Sequence, residues 1–247
     1  MKGLSSKLFA TVIIFMAFLT SCSNPKNYDF SAISEGGNTI FYKIVGNEVH
    51  IVPELQDFSK NCTWYNNPPL GVLIVPDTVS YGGQTYDVKE IEELAFSGCK
   101  ISSIKLPTTL KKIGPFAFAN CQNITNIDIP DNVLEIGYDA FNCCSSLKSI
   151  KIGSSLEIIG VLAFQSCKSI EKIIVNDNNS VFDSRENCNC IIRTLDNTLI
   201  LGCKNSSIPF SVENIGKDAF YNGLPDIVPD RINDLPIIET TTLEGWR

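Results

Sequence analysis

One histidine, His50, is all the imidazole that 247 residues provide, alongside two methionines and two tryptophans. A Ser-His-Asp machine would therefore draw its entire base chemistry from His50. An alternating segment around His50 makes it an ordinary strand histidine instead. There is no Gly-rich phosphate loop, no nucleophile elbow and no paired set of metal ligands. The sequence thus implies no cofactor, no metal and no catalytic residue. No run of basic residues exists, so the electrostatic footprint of nucleic-acid binding is missing. Long apolar runs are missing too. The one candidate, Leu8 to Leu19, is about twelve residues long, short of the ~20 that a membrane-spanning helix needs.

That run follows Lys2 and Lys7 and has the form of a signal peptide. It ends in Leu19-Thr20-Ser21-Cys22, which resembles a bacterial lipobox. The resemblance implies cleavage before Cys22, lipidation of that cysteine and anchoring in the membrane through acyl chains, each buried CH₂ contributing ~0.8 kcal/mol. Without residues 1–22 the chain keeps 18 basic against 27 acidic residues, a net charge of −9. Residues 23–38 are polar, with Pro25 and Gly36-Gly37, and read as a flexible tether.

What the chain has in quantity is a repeat. Ala-Phe pairs at Ala95-Phe96, Ala117-Phe118, Ala140-Phe141 and Ala163-Phe164 are spaced 22, 23 and 23 residues apart, and Ala219-Phe220 follows later. Each of the first four has an Ile five residues before its Phe and a Cys three residues after it. A fixed period of this length predicts a stacked solenoid, because one unit cannot bury its apolar face alone. Ile127-Asp128-Ile129 and Ile150-Lys151-Ile152 alternate as a half-buried strand does. Pro107 and Pro130 close such strands, since proline cannot donate to a ladder. The Ala-Phe segment reads as a short helical or 3₁₀ turn with Phe plugging the core.

The pattern Ile-Gly-x-x-Ala-Phe-x-x-Cys-x-x-Leu-x-x-Ile-x-Ile-Pro resembles the BspA-type leucine-rich repeat, a family common in surface and secreted proteins of Bacteroidetes. The resemblance implies an α/β repeat solenoid dominated by β structure, with parallel strands and a right-handed course. It also implies a role in adhesion or ligand binding rather than catalysis, and exposure at the outer membrane or cell surface.

The departures from the pattern set the boundaries. After Leu70, Leu73, Val75 and Val79 the next Ile arrives nine residues late, at Ile91. The insertion carries Tyr81-Gly82-Gly83-Gln84, a hairpin signal. Residues 39–90 therefore read as a β-rich N-terminal cap with the first half-repeat, and residues 91–224 as the repeats. A ten-residue surplus lies within residues 176–207, where Asp196-Asn197 between alternating apolar residues predicts a hairpin. The phase then resumes at Ile208, giving a solenoid continuous from about Leu70 to Ile232. Residues 225–247 hold a terminal half-repeat and a polar tail.

Cys99, Cys121, Cys144 and Cys167 share one phase and should stack as a column of small buried thiols. Cys188-Asn189-Cys190, with Cys203 and Cys143, is where a disulfide is expected if there is one. Asn176-Asp177-Asn178-Asn179 lacks the alternating oxygens of a calcium loop and reads as a turn. By strand alternation the outward positions are Ser103, Lys105, Asn126, Asp128, Ser149, Lys151 and Lys172, together with Ile174. They form the candidate binding face of a non-catalytic, membrane-anchored protein. Its partner would be a host or bacterial surface protein or a glycan. The alternatives are a structural surface protein without a fixed ligand and a polysaccharide-active enzyme.

Overall fold

The computed structural model describes residues 27–57, 62–64, 67–223 and 230–240. The leader with Cys22, the start of the tether and the end of the polar tail lie outside the described residues. Among the described residues no helix is long and apolar enough to cross a membrane.

The repeats form a β-dominated solenoid held by three hydrogen-bonded ladders, not the one strand per unit that the alternation predicts. The long ladder contains the expected strands: Asn126–Asp128, Ser149–Ile152 and Lys172–Val175 run parallel and in register. A separate pair, Leu70–Ile74 with Lys100–Lys105, precedes them. The short ladder joins Gln84–Ile91, Lys112–Ile113, Glu135–Ile136 and Ile158–Ile159, also parallel. Two-residue strands are too brief to show alternation, so sequence periodicity misses them.

The third ladder lies in the Ala-Phe turns, which are not helical. Leu94, Phe116, Asp139 and Leu162 have positive φ, as do Gly98, Asn120, Cys143 and Ser166. Left-handed residues cannot sit inside a right-handed helix. They instead occupy the third position of i→i+3 turns, such as Gly114–Ala117 (3.3 Å) and Phe118–Cys121 (3.1 Å), the place where a type II turn requires them. The result aims alternate N–H groups along the stack. Phe116, Phe118 and Asn120 donate to the carbonyls of Tyr138, Ala140 and Asn142 at 3.1, 2.8 and 2.7 Å. Leu94, Phe96 and Gly98 do the same to the second turn, and Asp139, Phe141 and Cys143 to the fourth.

Inside these ladders the rings of Phe96, Phe118, Phe141 and Phe164 stack with centroids 5.3, 5.2 and 5.2 Å apart. The close spacing explains the glycine after each short strand. A Cβ on Gly137 would lie 2.6 Å from the Pro115 nitrogen and 2.7 Å from the Gly114 carbonyl carbon. Side chains of adjacent units also bond beyond the strands. Asp131 accepts from the Ser154 N–H at 2.9 Å, and Asn132 donates to the Thr108 carbonyl at 2.8 Å.

Both ends of the long-strand layer are closed by an asparagine side chain acting as a stand-in peptide group. At one end Asn38 accepts from the Leu70 N–H (2.9 Å) and donates to the Val72 carbonyl (2.8 Å). At the other, Asn189 accepts from the Ile173 N–H (2.5 Å) and donates to the Glu171 carbonyl (2.6 Å). Such plugs blunt edges that would otherwise recruit a foreign strand.

The N-terminal layer starts earlier than the tether expected over residues 23–38 allows. Phe30–Ile33 pairs antiparallel with Thr39–Val45, which pairs with Glu48–Val52. Phe30 is buried against Tyr42 and Tyr81, at ring distances of 5.2 and 4.4 Å, and this contact draws the segment into the fold. Glu48–Val52 then lies parallel to Gln84–Ile91, so the meander extends the short ladder. Thr78–Tyr81 forms a hairpin with the start of Gln84–Ile91 across Gly82-Gly83.

The C-terminal part corrects the expected continuity to Ile232. Neither the short nor the long ladder passes into it. Phe182–Asp183, Ile191–Arg193, Thr198–Leu201, Asn214–Gly216 and Ile237–Ile238 form their own sheet, antiparallel in its first half and parallel in its second. One face of this sheet joins the main core through Phe182, Ile191 and Leu201, while Ile192, Leu199, Val212, Ile215 and Ile232 form a second cluster. Ile215-Gly216 resumes the sequence phase, but its neighbour is the hairpin strand Thr198–Leu201 rather than Ile158–Ile159.

Three substitutions test this packing in denaturant unfolding. Phe118→Ala is expected to cost about 3–5 kcal/mol by opening a cavity in the ring stack. Gly137→Ala is expected to cost about 1–3 kcal/mol by overpacking. Asn38→Ala should cost about 1–3 kcal/mol, the desolvation penalty of the groups it leaves unpaired.

Candidate binding face

The outward positions of the long strands fall into two columns because the 23-residue spacing places equal phases side by side. Asn126, Ser149 and Lys172 are register partners, and so are Asp128, Lys151 and Ile174. Between these positions Ile127, Ile150 and Ile173 point into the core. The alternation of a pleated strand thus fixes which side chains meet solvent.

Ser103 and Lys105 do not continue these columns through hydrogen bonds. Their strand pairs with Leu70–Ile74, Ser103 opposite Val72 and Lys105 opposite Ile74, with a register shift between Gly71 and Val72. The interruption coincides with the first unit, which is one residue shorter after Cys99 than its successors. At this break lies an open groove of about 370 Å³. Ser103, Lys105, Asn126, Asp128 and Lys151 line it, whereas Ser149 and Lys172 do not. Asp131 stands at the same groove, but its Oδ1 is held by the Ser154 N–H and the Asn176 amide. The spacing pattern alone did not reveal the groove, because it depends on a broken ladder rather than on residue type.

His50 joins the meander to the first repeat. Its Nδ1 lies 3.1 Å from Glu92 and 3.7 Å from Glu90, and its Nε2 lies 3.3 Å from Glu48. Lys43 is its register partner on the other side, and Lys112 bridges Glu90 and Glu135. The hydrogen bond to Glu92 raises the His50 pKa above its ordinary 6.5, against the opposing effect of partial burial, with Glu48 and Glu90 adding to the rise. Burial likewise raises the Glu90 carboxyl pKa. The three carboxylates around this histidine favour its charged form.

The cysteine column forms as the shared phase predicts. Cys121, Cys144 and Cys167 donate from sulfur to the carbonyls of Phe96, Phe118 and Phe141 at 3.0, 3.2 and 3.1 Å, one unit back in each case. Burial pushes the Cys99 thiol up to about 12 and the Cys121 thiol well above its usual range. The Cys167 thiol is raised by its hydrogen bond to Cys144 and by burial. Cys188 and Cys190 are bonded to each other, while Cys143 and Cys203 are free. Asn179, in the segment read as a turn, donates to the Gly153 and Leu156 carbonyls and accepts from the N–H groups of Val181 and Phe182. No cluster of metal-ligating side chains occurs among the described residues.

Two outcomes follow. The raised His50 pKa stabilises the folded state fully below its unfolded pKa, and the gain is lost as pH rises through the folded value. The raised Glu90 pKa acts in the same direction at lower pH. Stability should fall as pH rises above about 6.5, the ordinary His pKa, and His50→Gln should flatten that slope in pH-dependent unfolding. Alkylation mapped by mass spectrometry should modify the partly exposed Cys143 and spare Cys99, Cys121, Cys144 and Cys167 until the protein is unfolded.

Comparison with known proteins agrees with this architecture. Residues 84–193 match the BspA type leucine rich repeat region, in six copies. No curated protein is significantly similar to the chain. Solved leucine-rich repeat proteins are similar to it. One from Bacteroides capillosus is 22% identical with a TM-score of 0.46, over 56% of this chain and 94% of that one. The T. pallidum leucine rich repeat protein is 26% identical with a TM-score of 0.46, over 56% and 59%. A leucine-rich repeat protein from Bacteroides ovatus is 28% identical with a TM-score of 0.41, over 72% and 45%. The chain spans about half the length of the latter two proteins.

Proposed function

We propose that this protein, which carries a BspA-type leucine-rich repeat region, is an exported, membrane-anchored binding protein without catalytic activity. Its solenoid presents the long-strand face to a protein or glycan of a host or bacterial surface. One observation carries the reading: five of the seven outward residues, from three successive units, converge on one groove of about 370 Å³. Asp128 stands between the Lys105 and Lys151 positions, an alternation of charge suited to polar recognition. The non-catalytic reading draws on two other side chains. Asp131 is committed to bonds within the scaffold, and His50 is committed to the Glu48, Glu90 and Glu92 carboxylates. Anchoring rests on the lipobox-like Leu19-Thr20-Ser21-Cys22.

A screen of the purified mature protein against immobilised matrix proteins and surface glycans tests the binding. We expect saturable binding that falls by about ten-fold or more, as loss of a buried charge contact would give, in a Lys105→Glu, Lys151→Glu variant of unchanged melting temperature. Absence of saturable binding to every surface would favour a scaffold without a fixed ligand. Cys22→Ala should move the protein from the membrane to the soluble fraction. Proteolysis of intact cells should degrade it if the solenoid faces outward.

A further inference from the structure

The turn ladder has an open end, and its geometry points to a second recognition site. In each of the first three turns, three N–H groups at alternate residues donate to three carbonyls of the next turn, at 2.7–3.1 Å. The equivalent donors of the fourth turn are the N–H groups of Leu162, Phe164 and Ser166. Among the described residues none of these three finds an acceptor. The reason lies in the unit that follows, which replaces its Ala-Phe turn with the hairpin Ile191–Arg193 and Thr198–Leu201. The later turn at Ala219-Phe220 is bonded instead to Gly202, whose N–H reaches the Ala219 carbonyl at 2.8 Å.

A notch occupies the place of the absent turn. It encloses about 50 Å³; Leu162, Phe164, Phe182, Tyr221 and Asn222 line it together with the charged Arg193 and Asp218, and Ser166 lies just outside the lining. At ~10–15 Å³ per water it holds a few waters, so only main chain and small groups can enter. Val161 and Tyr221 at its rim are among the exposed large apolar side chains. Asn222 reaches across to the Phe164 carbonyl at 2.8 Å, yet its own Oδ1 is buried without a hydrogen-bond partner. The notch therefore offers two donors that need acceptors, with a third just beyond it, and one acceptor that needs a donor. A peptide backbone supplies both. The long strands' outer edges, by contrast, are plugged by Asn38 and Asn189. The turn ladder has no such plug.

We propose that this notch binds a polypeptide segment of a partner protein, which docks alternate carbonyls on Leu162 and Phe164 and runs on past the notch to Ser166 as an added turn. This is backbone augmentation of the kind that exposed sheet edges support, with aromatic and aliphatic walls selecting small side chains. The site is distinct from the polar groove and does not depend on it.

The test uses the full mature protein and the heptapeptide of residues 160–166 carrying Phe164→Ala, blocked at both ends, which presents the same carbonyl row in small form. Residue-resolved amide exchange is followed at Leu162, Phe164 and Ser166, with Leu94, Phe96 and Gly98 as the bonded reference. We expect the three amides to exchange about a hundred-fold faster than the reference in the free protein and to slow about ten-fold with millimolar peptide. Tyr221→Ala, at an exposed rim position, should weaken that protection. Slow exchange in the free protein at all concentrations would mean that the chain covers its own donors, and would overturn the proposal. Protection that appears only on raising the protein concentration would assign the notch to a second copy and overturn it likewise. Fast exchange unaltered by the peptide would also overturn it.

Discussion

Main-chain hydrogen bonding along the stack is the constraint on which this structure depends. A unit of 22 or 23 residues is too small to satisfy its own N–H and C=O groups, and buried ones left unpaired are costly. Each unit therefore hands its donors to a neighbour at three places, the short strand, the long strand and the turn. The stacked Phe rings fill the space that those bonds enclose. The glycine of each Ile-Gly pair keeps adjacent units close enough for the bonds to form.

The same constraint explains the cysteines. A thiol in this phase is small, buried and close to the Phe carbonyl of the preceding unit, so it serves as one more contact between units. Burial suppresses the ionisation of Cys99 and Cys121, which removes those two from redox and nucleophilic chemistry. The single histidine has a comparable role at the N-terminal joint, where it lies among the carboxylates of Glu48, Glu90 and Glu92.

A ladder must end somewhere, and the ends are where units of this chain differ. Asparagine side chains close the long-strand layer at both termini. The short ladder is extended at its start by the meander from Phe30 to Val52. The turn ladder ends at Leu162, Phe164 and Ser166 without a plug, beside a hairpin that occupies its own sheet. Recognition is better served at such irregular places than on regular rungs, because only there do unpaired groups and shaped spaces occur.

Periodicity alone determined the repeat, its unit length, the long strands, the inward Ile, Phe and Cys positions and the outward columns from Asn126 to Lys172. These are local consequences of the two-residue strand period and of a spacing that puts equal phases side by side. What only the tertiary structure decided concerns bonds between units. The short strands are too brief to carry a pattern. The left-handed turns place Leu, Phe and Asp where φ is positive, which residue type does not advertise. The break beside Lys105, the early start at Phe30 and the separate C-terminal sheet each follow from which backbone groups find partners. That pairing is settled between distant segments, so no single stretch of the sequence encodes it.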